Sequence, residues 1–167
     1  MRPLSDMSKT KLHATGNDLS AKTRAQSVVL LNQALADLSD LYSQTKQAHW
    51  NVRGRKFFML HELFDKLAGV IEEHLDDIAE RATALGGEAR GTVRMAAQAS
   101  KLPEWPARLA DQDAFTKALT QRFVLAANSI RAAIDTSAGA GDADTADLLT
   151  GVSRELDKAL WFLEASA

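Results

Sequence analysis

Side chains of the types that bind first-row metal ions recur at helical spacing in the first half of the chain: His49, His61, Asp65, Asp76 and Glu80. On one continuous helix each residue advances about 100° around the axis. Relative to His61, the three carboxylates therefore lie at about 40°, 60° and 100°, on the same face. Imidazole nitrogens and carboxylate oxygens suit iron, manganese or zinc. The pattern predicts a metal site on this face.

A single chain cannot gather these ligands around one ion. The pair Asp76 and Glu80 follows the pair His61 and Asp65 by about 16 Å along a helix axis, whereas metal–ligand bonds are about 2 to 2.5 Å long. A second copy of this helix, packed antiparallel around a two-fold axis near residues 69–71, would place the first pair of one chain opposite the second pair of the other. The spacing therefore predicts two equivalent metal sites between subunits.

Each candidate ligand also has a plainer interpretation. A lone histidine on an apolar stripe, such as His49, is more often a packing residue than a ligand, and His61 with Asp65 one turn later is equally compatible with a surface hydrogen-bonded pair. Residues 61–65 lack the second histidine of the zinc-protease motif. Glu-x-x-His, the motif of di-metal sites inside four-helix bundles, occurs nowhere in the chain. These absences favour a site on a surface that two chains share.

Composition limits the class of protein. The 167 residues include 46% hydrophobic and 25% charged residues, few prolines and glycines, and no cysteine. The absence of cysteine excludes disulfides and thiolate ligands, and no apolar run reaches the length of a signal peptide core or a membrane span. We therefore expect a single cytoplasmic domain without membrane attachment.

Apolar residues recur at spacings of three and four through four long segments, which predicts four helices. The longest connector contains one short apolar patch, so we expect one short helix within a long crossover. The predicted fold is all-α, a ferritin-like four-helix bundle with a short helix in the mid-chain crossover. The first two predicted helices cover residues 20–49 and 56–84, and the second ends before the glycine pair at 86–87. The connector covers residues 88–110. The third helix runs from an N-cap at Asp111 to about residue 136, and Asp142 or Asp144 caps the fourth. We expect the bundle domain to span residues 20–167, after a flexible basic tail over residues 1–19.

The residues around the predicted ligands also resemble a known family. His-Trp-Asn-Val-Arg-Gly at 49–54, followed by His-Glu-Leu-Phe-Asp at 61–65, resembles the first signature of the Dps proteins (DNA protection during starvation), which are dodecameric miniferritins. Leu-Asp-Asp-Ile-Ala-Glu-Arg at 75–81, continuing to Leu-Gly-Gly at 85–87, looks like the second. The resemblance extends from about Ser20 to the C-terminus.

The resemblance implies a ferroxidase that binds Fe(II) at dimer interfaces and prefers hydrogen peroxide as oxidant. Ferric mineral would accumulate inside a hollow shell of twelve subunits. All the predicted ligands carry the family's residue types: His49, His61 and Asp65 from one chain, with Asp76 and Glu80 from its neighbour.

The resemblance further implies that Trp50 donates an electron to a damaging intermediate, although a packing role at the interface explains it equally well. The acidic pores of the family are built near the start of the last helix, which makes Asp142 and Asp147 candidates for pore residues. Acidic residues there also suit the positive end of the helix dipole.

The first 24 residues are basic and the remainder is acidic. Such a segment is either a solvated terminus or an arm that binds a polyanion. Some members of the resembled family bind DNA through basic N-terminal tails, which makes Arg2, Lys9 and Lys11 candidate contacts to DNA phosphates, without base readout. In that case the protein would associate with the nucleoid.

Two other functions remain open from the sequence. One is a DNA-compacting architectural protein whose interface histidines bind zinc or stabilise the assembly. The other is an inert helical oligomer with a polar network at its interface.

Overall fold

A computed structural model describes residues 11–167, which form five helices and no strand. The all-α prediction is confirmed, including the short helix in the crossover. No helix within this part of the chain is both long and apolar enough to cross a membrane. The helices are α1 (Ala21–Asn51), α2 (Phe57–Ala84), α3 (Val93–Ala99), α4 (Gln112–Gly139) and α5 (Ala143–Ala165).

The lengths of the connections determine how the helices pair. Short links join α1 to α2 and α4 to α5, so each pair packs antiparallel. The long crossover containing α3 returns the chain to the end of the bundle where α2 begins. There the backbone N–H of Lys56 donates to Oε1 of Gln112 at 2.9 Å. Helix α4 therefore runs parallel to α2, and α1 packs against both α2 and α4.

Helix boundaries follow the capping residues. Asp111 accepts a hydrogen bond from the backbone N–H three residues later, as predicted. Of the two predicted caps for the last helix, the structure selects Asp142. Helix α4 ends at Gly139, a little later than expected, because the turn is made by Gly141, whose φ of 82° suits glycine.

Apolar side chains from all four long helices meet in one core. Phe64 and Phe123 are its largest fully buried members, packed among leucines and isoleucines of α1, α2, α4 and α5. Burying a side chain of this size contributes about 1.5 to 3 kcal/mol. This core holds α1 and α2 in a fixed register, which determines which of their outward-facing residues meet.

The crossover is held by a polar stripe along α1. The side chains of Gln33, Asp37, Asp40 and Gln44 hydrogen-bond to residues 99–103, at 2.6 to 3.1 Å. Burial raises the pKa of Asp37, and the hydrogen bond from a backbone N–H of the crossover partly opposes this shift. In the sequence, these polar residues recur at helical spacing and resemble a solvent-exposed helix face. The structure shows that they fix the crossover.

The N-terminal segment differs from the prediction of a flexible tail up to residue 19. The backbone N–H of His13 donates to the carbonyl of Gly86 at 2.7 Å, and Leu12 and Leu19 pack against the core. A Cβ on Gly86 would lie 2.6 Å from the carbonyl oxygen of His13, so this glycine permits the contact. The physical reason is that the end of α2 leaves carbonyl groups without helical donors, and this segment supplies one. Ser20 caps α1, which begins at Ala21, and the chain before it lies on the bundle as far back as residue 12.

Candidate metal site on helices α1 and α2

The two histidines lie face to face across the α1–α2 pair. His49 is in the last turn of α1 and His61 is near the start of α2, so the antiparallel packing brings them together. Their ring centroids are 3.8 Å apart and the rings are inclined by 22°. Twelve residues separate them in the sequence, and the short connection between the helices closes that distance.

Reciprocal hydrogen bonds fix the tautomer of both rings. Nδ1 of His49 lies 2.8 Å from the carbonyl oxygen of His61, and Nδ1 of His61 lies 3.0 Å from the carbonyl oxygen of His49. A carbonyl oxygen only accepts, so Nδ1 is the protonated nitrogen in each ring. Each Nε2 then carries the lone pair that binds a metal ion. This is the arrangement in which a backbone carbonyl orients a ligating imidazole.

Asp65 completes the set of ligands from this chain and is already engaged by a lysine. Oδ1 of Asp65 lies 3.8 Å from Nε2 of His49 and 2.6 Å from Nζ of Lys46. The hydrogen bond from Lys46 lowers the pKa of the Asp65 carboxyl. The Asp65 side chain is 55% exposed, so an ion can reach it from solvent.

Asp76 and Glu80 are exposed in the second half of α2, away from the histidines. Within residues 11–167, no three His, Cys, Asp or Glu side chains come close enough to hold a metal ion. This separation is compatible with the predicted division of the ligands between two chains. Their combination across two chains stays a prediction.

Between the two proposed halves of the site, α2 has an open glycine. Among residues 11–167, apart from the adjoining backbone of α2, no heavy atom lies within 4 Å of a Cβ built on Gly69. Glycine in a helix interior costs about 1 kcal/mol relative to alanine, and no contact within the described residues requires this one. Of the residues predicted to lie near the two-fold axis, Gly69 is on the outer face, whereas Ile71 is buried in the core. A close approach by another helix would explain the glycine.

Trp50 lies beside this site with 66% of its surface exposed. Nζ of Lys46 is 5.9 Å from the centroid of its ring. Its predicted part in electron transfer stays a prediction, but its position next to His49 and Lys46 is compatible with that role.

The two candidate pore residues differ in their exposure to solvent. Asp142 is 1% exposed, and its carboxylate accepts hydrogen bonds from Ser27, Thr145 and Arg81, the last at 2.7 Å. A carboxylate held in these contacts does not line an open passage, so Asp142 is corrected from a pore candidate to a structural cap. Asp147 is exposed and stays a candidate.

Of the predicted DNA contacts, Lys11 is exposed, whereas Arg2 and Lys9 lie outside the described residues. Sequence reasoning missed Lys46 and Arg81. Lys46 precedes His49 by three residues, so helical geometry could have placed it on the same face of α1. No sequence pattern indicated that Arg81 pairs with Asp142, because helix packing alone brings them together.

Comparison with known protein families identifies the general class of this protein. Residues 28–166 match the family model of the ferritin-like domain, which spans the four long helices and the crossover. The predicted ferritin-like architecture is thereby confirmed.

Sequence relatives narrow the class further. The DNA protection during starvation protein of Agrobacterium fabrum is 44% identical over 155 residues, which cover 93% of this chain and 96% of that protein. The protein of the same name from Brevibacillus brevis is 32% identical over 146 residues, or 86% of this chain and 97% of that one. The chain belongs to the Dps family of ferritin-like proteins, as its two sequence signatures indicated.

Solved structures agree with this assignment. DpsC from Streptomyces coelicolor superposes with a TM-score of 0.89 at 32% identity, covering 93% of this chain and 91% of that one. Dps from Mycobacterium smegmatis, in a tetragonal crystal form, gives a TM-score of 0.87 at 27% identity, covering 92% and 93%. The similarity includes the crossover and both helix pairs, since it covers nearly the whole chain.

Proposed function

We propose that this protein oxidises Fe(II) at sites shared by two subunits, with hydrogen peroxide as the preferred oxidant, and stores the ferric product inside a shell of twelve copies. Removing both reagents of hydroxyl-radical formation would protect DNA, as the name of its relatives describes for them. We place the protein in the cytoplasm, associated with the nucleoid if it binds DNA.

One observation carries the proposal: the paired imidazoles present Nε2 lone pairs beside an exposed carboxylate. Both Nδ1 atoms are occupied by carbonyl oxygens, so the rings are held in the ligating tautomer before any metal arrives. A pre-arranged pair of imidazoles next to Asp65 is what a borderline metal ion such as Fe(II) would bind.

The ligand set also suits a metal that arrives, reacts and leaves. His49, His61 and Asp65 supply at most three donors, and Asp76 and Glu80 of a second copy would add carboxylates. Carboxylates bind both Fe(II) and Fe(III), and a site with few protein donors keeps positions open for peroxide. Iron is here the substrate rather than a resident cofactor.

Gly69 supports the same subunit arrangement. It lies about midway between the two proposed halves of the site on α2, is partly buried, and its missing side chain would allow two α2 helices to approach closely. An antiparallel pair with its axis at this point would form two sites, one on each side of the axis. Six such pairs would make the proposed dodecamer.

The test is the double substitution His61→Ala and Asp65→Ala. We expect the variant to keep the assembled mass of the wild type and to lose rapid peroxide-dependent oxidation of Fe(II), measured by absorbance of the ferric product. A matched control replaces His74→Ala and Asp77→Ala, a histidine and an aspartate on the same helix outside the proposed ligand set, and should retain oxidation. Normal oxidation in the first variant would refute the site.

The same experiment separates iron oxidation from the zinc alternative. If the histidines serve only zinc binding or assembly, wild-type protein should take up zinc without oxidising Fe(II), and the double variant should lose assembled mass. Loss of oxidation with intact mass favours the ferroxidase.

DNA binding is the second candidate function, and the position of the N-terminal segment makes it testable. Lys11 and Lys22 are exposed on either side of the segment that lies on the bundle. Deleting residues 1–10 would remove Arg2 and Lys9 but leave that segment in place. We expect this deletion to abolish gel retardation of DNA at low salt, because the contacts are electrostatic. Retardation that survives deletion of residues 1–19 as well would exclude the tail as the contact.

A further inference from the structure

The ion pair between Lys46 and Asp65 lies where a bound metal ion would have to sit. Nζ of Lys46 is 2.6 Å from Oδ1 of Asp65, and the same oxygen is 3.8 Å from Nε2 of His49. A divalent ion held by that nitrogen and that carboxylate would lie within a few ångströms of the ammonium. Like charges at such a distance repel strongly where solvent is partly excluded. Metal and ammonium therefore compete for Asp65.

In the position that pairs with Asp65, Lys46 also lies over an aromatic ring. Its ammonium is 5.9 Å from the ring centroid of Trp50, whose exposed face can accept a cation. Within residues 11–167, Asp65 is the only acidic side chain that forms an ion pair with Lys46. Displacement from Asp65 would leave the lysine between Trp50 and solvent, close enough to return.

We propose that Lys46 is a displaceable internal cation, which neutralises Asp65 in the empty site, is displaced when Fe(II) binds, and limits retention of the oxidised iron by competing for Asp65. The inference rests on the proposed function. Oxidation adds a positive charge to the ion, so the carboxylates hold Fe(III) more tightly than Fe(II). A nearby ammonium that competes for Asp65 opposes this retention and keeps the iron moving to the mineral.

If the inference is correct, removing the charge of Lys46 should raise the affinity for a divalent ion and lower the rate of sustained turnover. Without the ammonium, a divalent ion binds more tightly because it displaces nothing. The oxidised ion also leaves more slowly, so sustained turnover falls although the first turnover does not. A lysine that only weakens binding would, on removal, raise affinity and leave sustained turnover equal or faster.

The first measurement is a calorimetric titration of the intact assembly with Co(II), which is not oxidised under these conditions. Lys46→Met should bind Co(II) about tenfold more tightly than the wild type, the size expected for removing one competing charge at a partly exposed site. Lys46→Arg, which keeps the charge, should remain near the wild type. Lys158→Met is the matched control, because its ammonium lies 3.6 Å from Glu155 on α5, away from the site. It should change nothing.

The second measurement compares one equivalent of Fe(II) per site with a large excess, both with peroxide. In Lys46→Met, the first equivalent should be oxidised within about twofold of the wild-type rate, whereas the steady rate with excess iron should fall several-fold. Unchanged Co(II) affinity in Lys46→Met, or a rise in affinity without a fall in the steady rate, would overturn the inference. Wild-type protein that binds Co(II) but oxidises no Fe(II) would instead refute the proposed function, while the Co(II) titration would still decide whether Lys46 competes with the metal.

Discussion

Two pairs of a basic residue with an aspartate, one towards each end of α2, have opposite surroundings. Lys46 and Asp65 meet through one contact of 2.6 Å, with side chains 22% and 55% exposed. Arg81 and Asp142 meet at 2.7 Å, with side chains 15% and 1% exposed. The second aspartate also caps α5 and accepts from Ser27 and Thr145, which ties three helices together.

The difference in burial indicates which of the two ion pairs can be replaced by another ion. A buried pair with every oxygen hydrogen-bonded is expensive to break, because each group left behind is desolvated and unpaired. An exposed pair with one contact contributes little to stability and is easily replaced by water or another ion. The same helix thus carries a buried structural ion pair near its C-terminal end and an exchangeable ion pair in its N-terminal half.

The largest effect is expected from Asp142→Ala. It removes a helix cap and leaves Arg81 without its buried partner, which should cost about 3 to 5 kcal/mol and lower the thermal midpoint by about 10 °C. Differential scanning calorimetry measures this change. Asp144→Ala is the control, because Asp144 lies 3.7 Å from the same arginine but is 82% exposed. A comparable loss in both variants would contradict the assignment of the structural ion pair to Asp142.

An intermediate effect is expected on acidification. Burial alone would raise the pKa of Asp142, but the hydrogen bonds from Ser27, Thr145 and Arg81 outweigh it, so the pKa is lowered. A lowered pKa means that the carboxylate stabilises the fold above the unfolded value of about 3.9 and that this contribution is lost as the pH falls through the folded value.

Thermal midpoints of wild type and Asp142→Asn, measured from pH 7 to pH 3, should therefore differ most above about pH 4.5 and begin to converge as the pH falls below about 3.9. A difference that stays constant over this range would show that the charge of Asp142 does not contribute.

The smallest effect on stability is expected from Asp65→Ala. Because its pair with Lys46 is exposed, the thermal midpoint should change by less than about 2 °C. Co(II) binding, measured by calorimetry on the same sample, should nevertheless be lost. A large drop in thermal midpoint would mean that Asp65 is a structural residue, and the contrast between the two aspartates would fail.

The elements of the fold were predictable because their signals are local. Apolar spacing located the four long helices, the cap at Asp111 was identified from its residue type, and the absence of Glu-x-x-His argued against a site inside the bundle. The contacts of residues 12–19 were not predictable, because they are made by two isolated leucines and by a glycine about seventy residues away. The spacing of apolar residues does not predict a contact between residues so far apart in the sequence.

The amino-acid sequence alone determined where the helices form and which face of α2 carries His61, Asp65, Asp76 and Glu80, because helical periodicity fixes angular position within one element. Only the tertiary structure decided the tautomer of the two histidines, the occupation of Asp65 by Lys46 and the burial of Asp142. Each of these depends on atoms from different helices meeting at hydrogen-bond distance, and that distance is set by how the core packs rather than by any spacing along the chain.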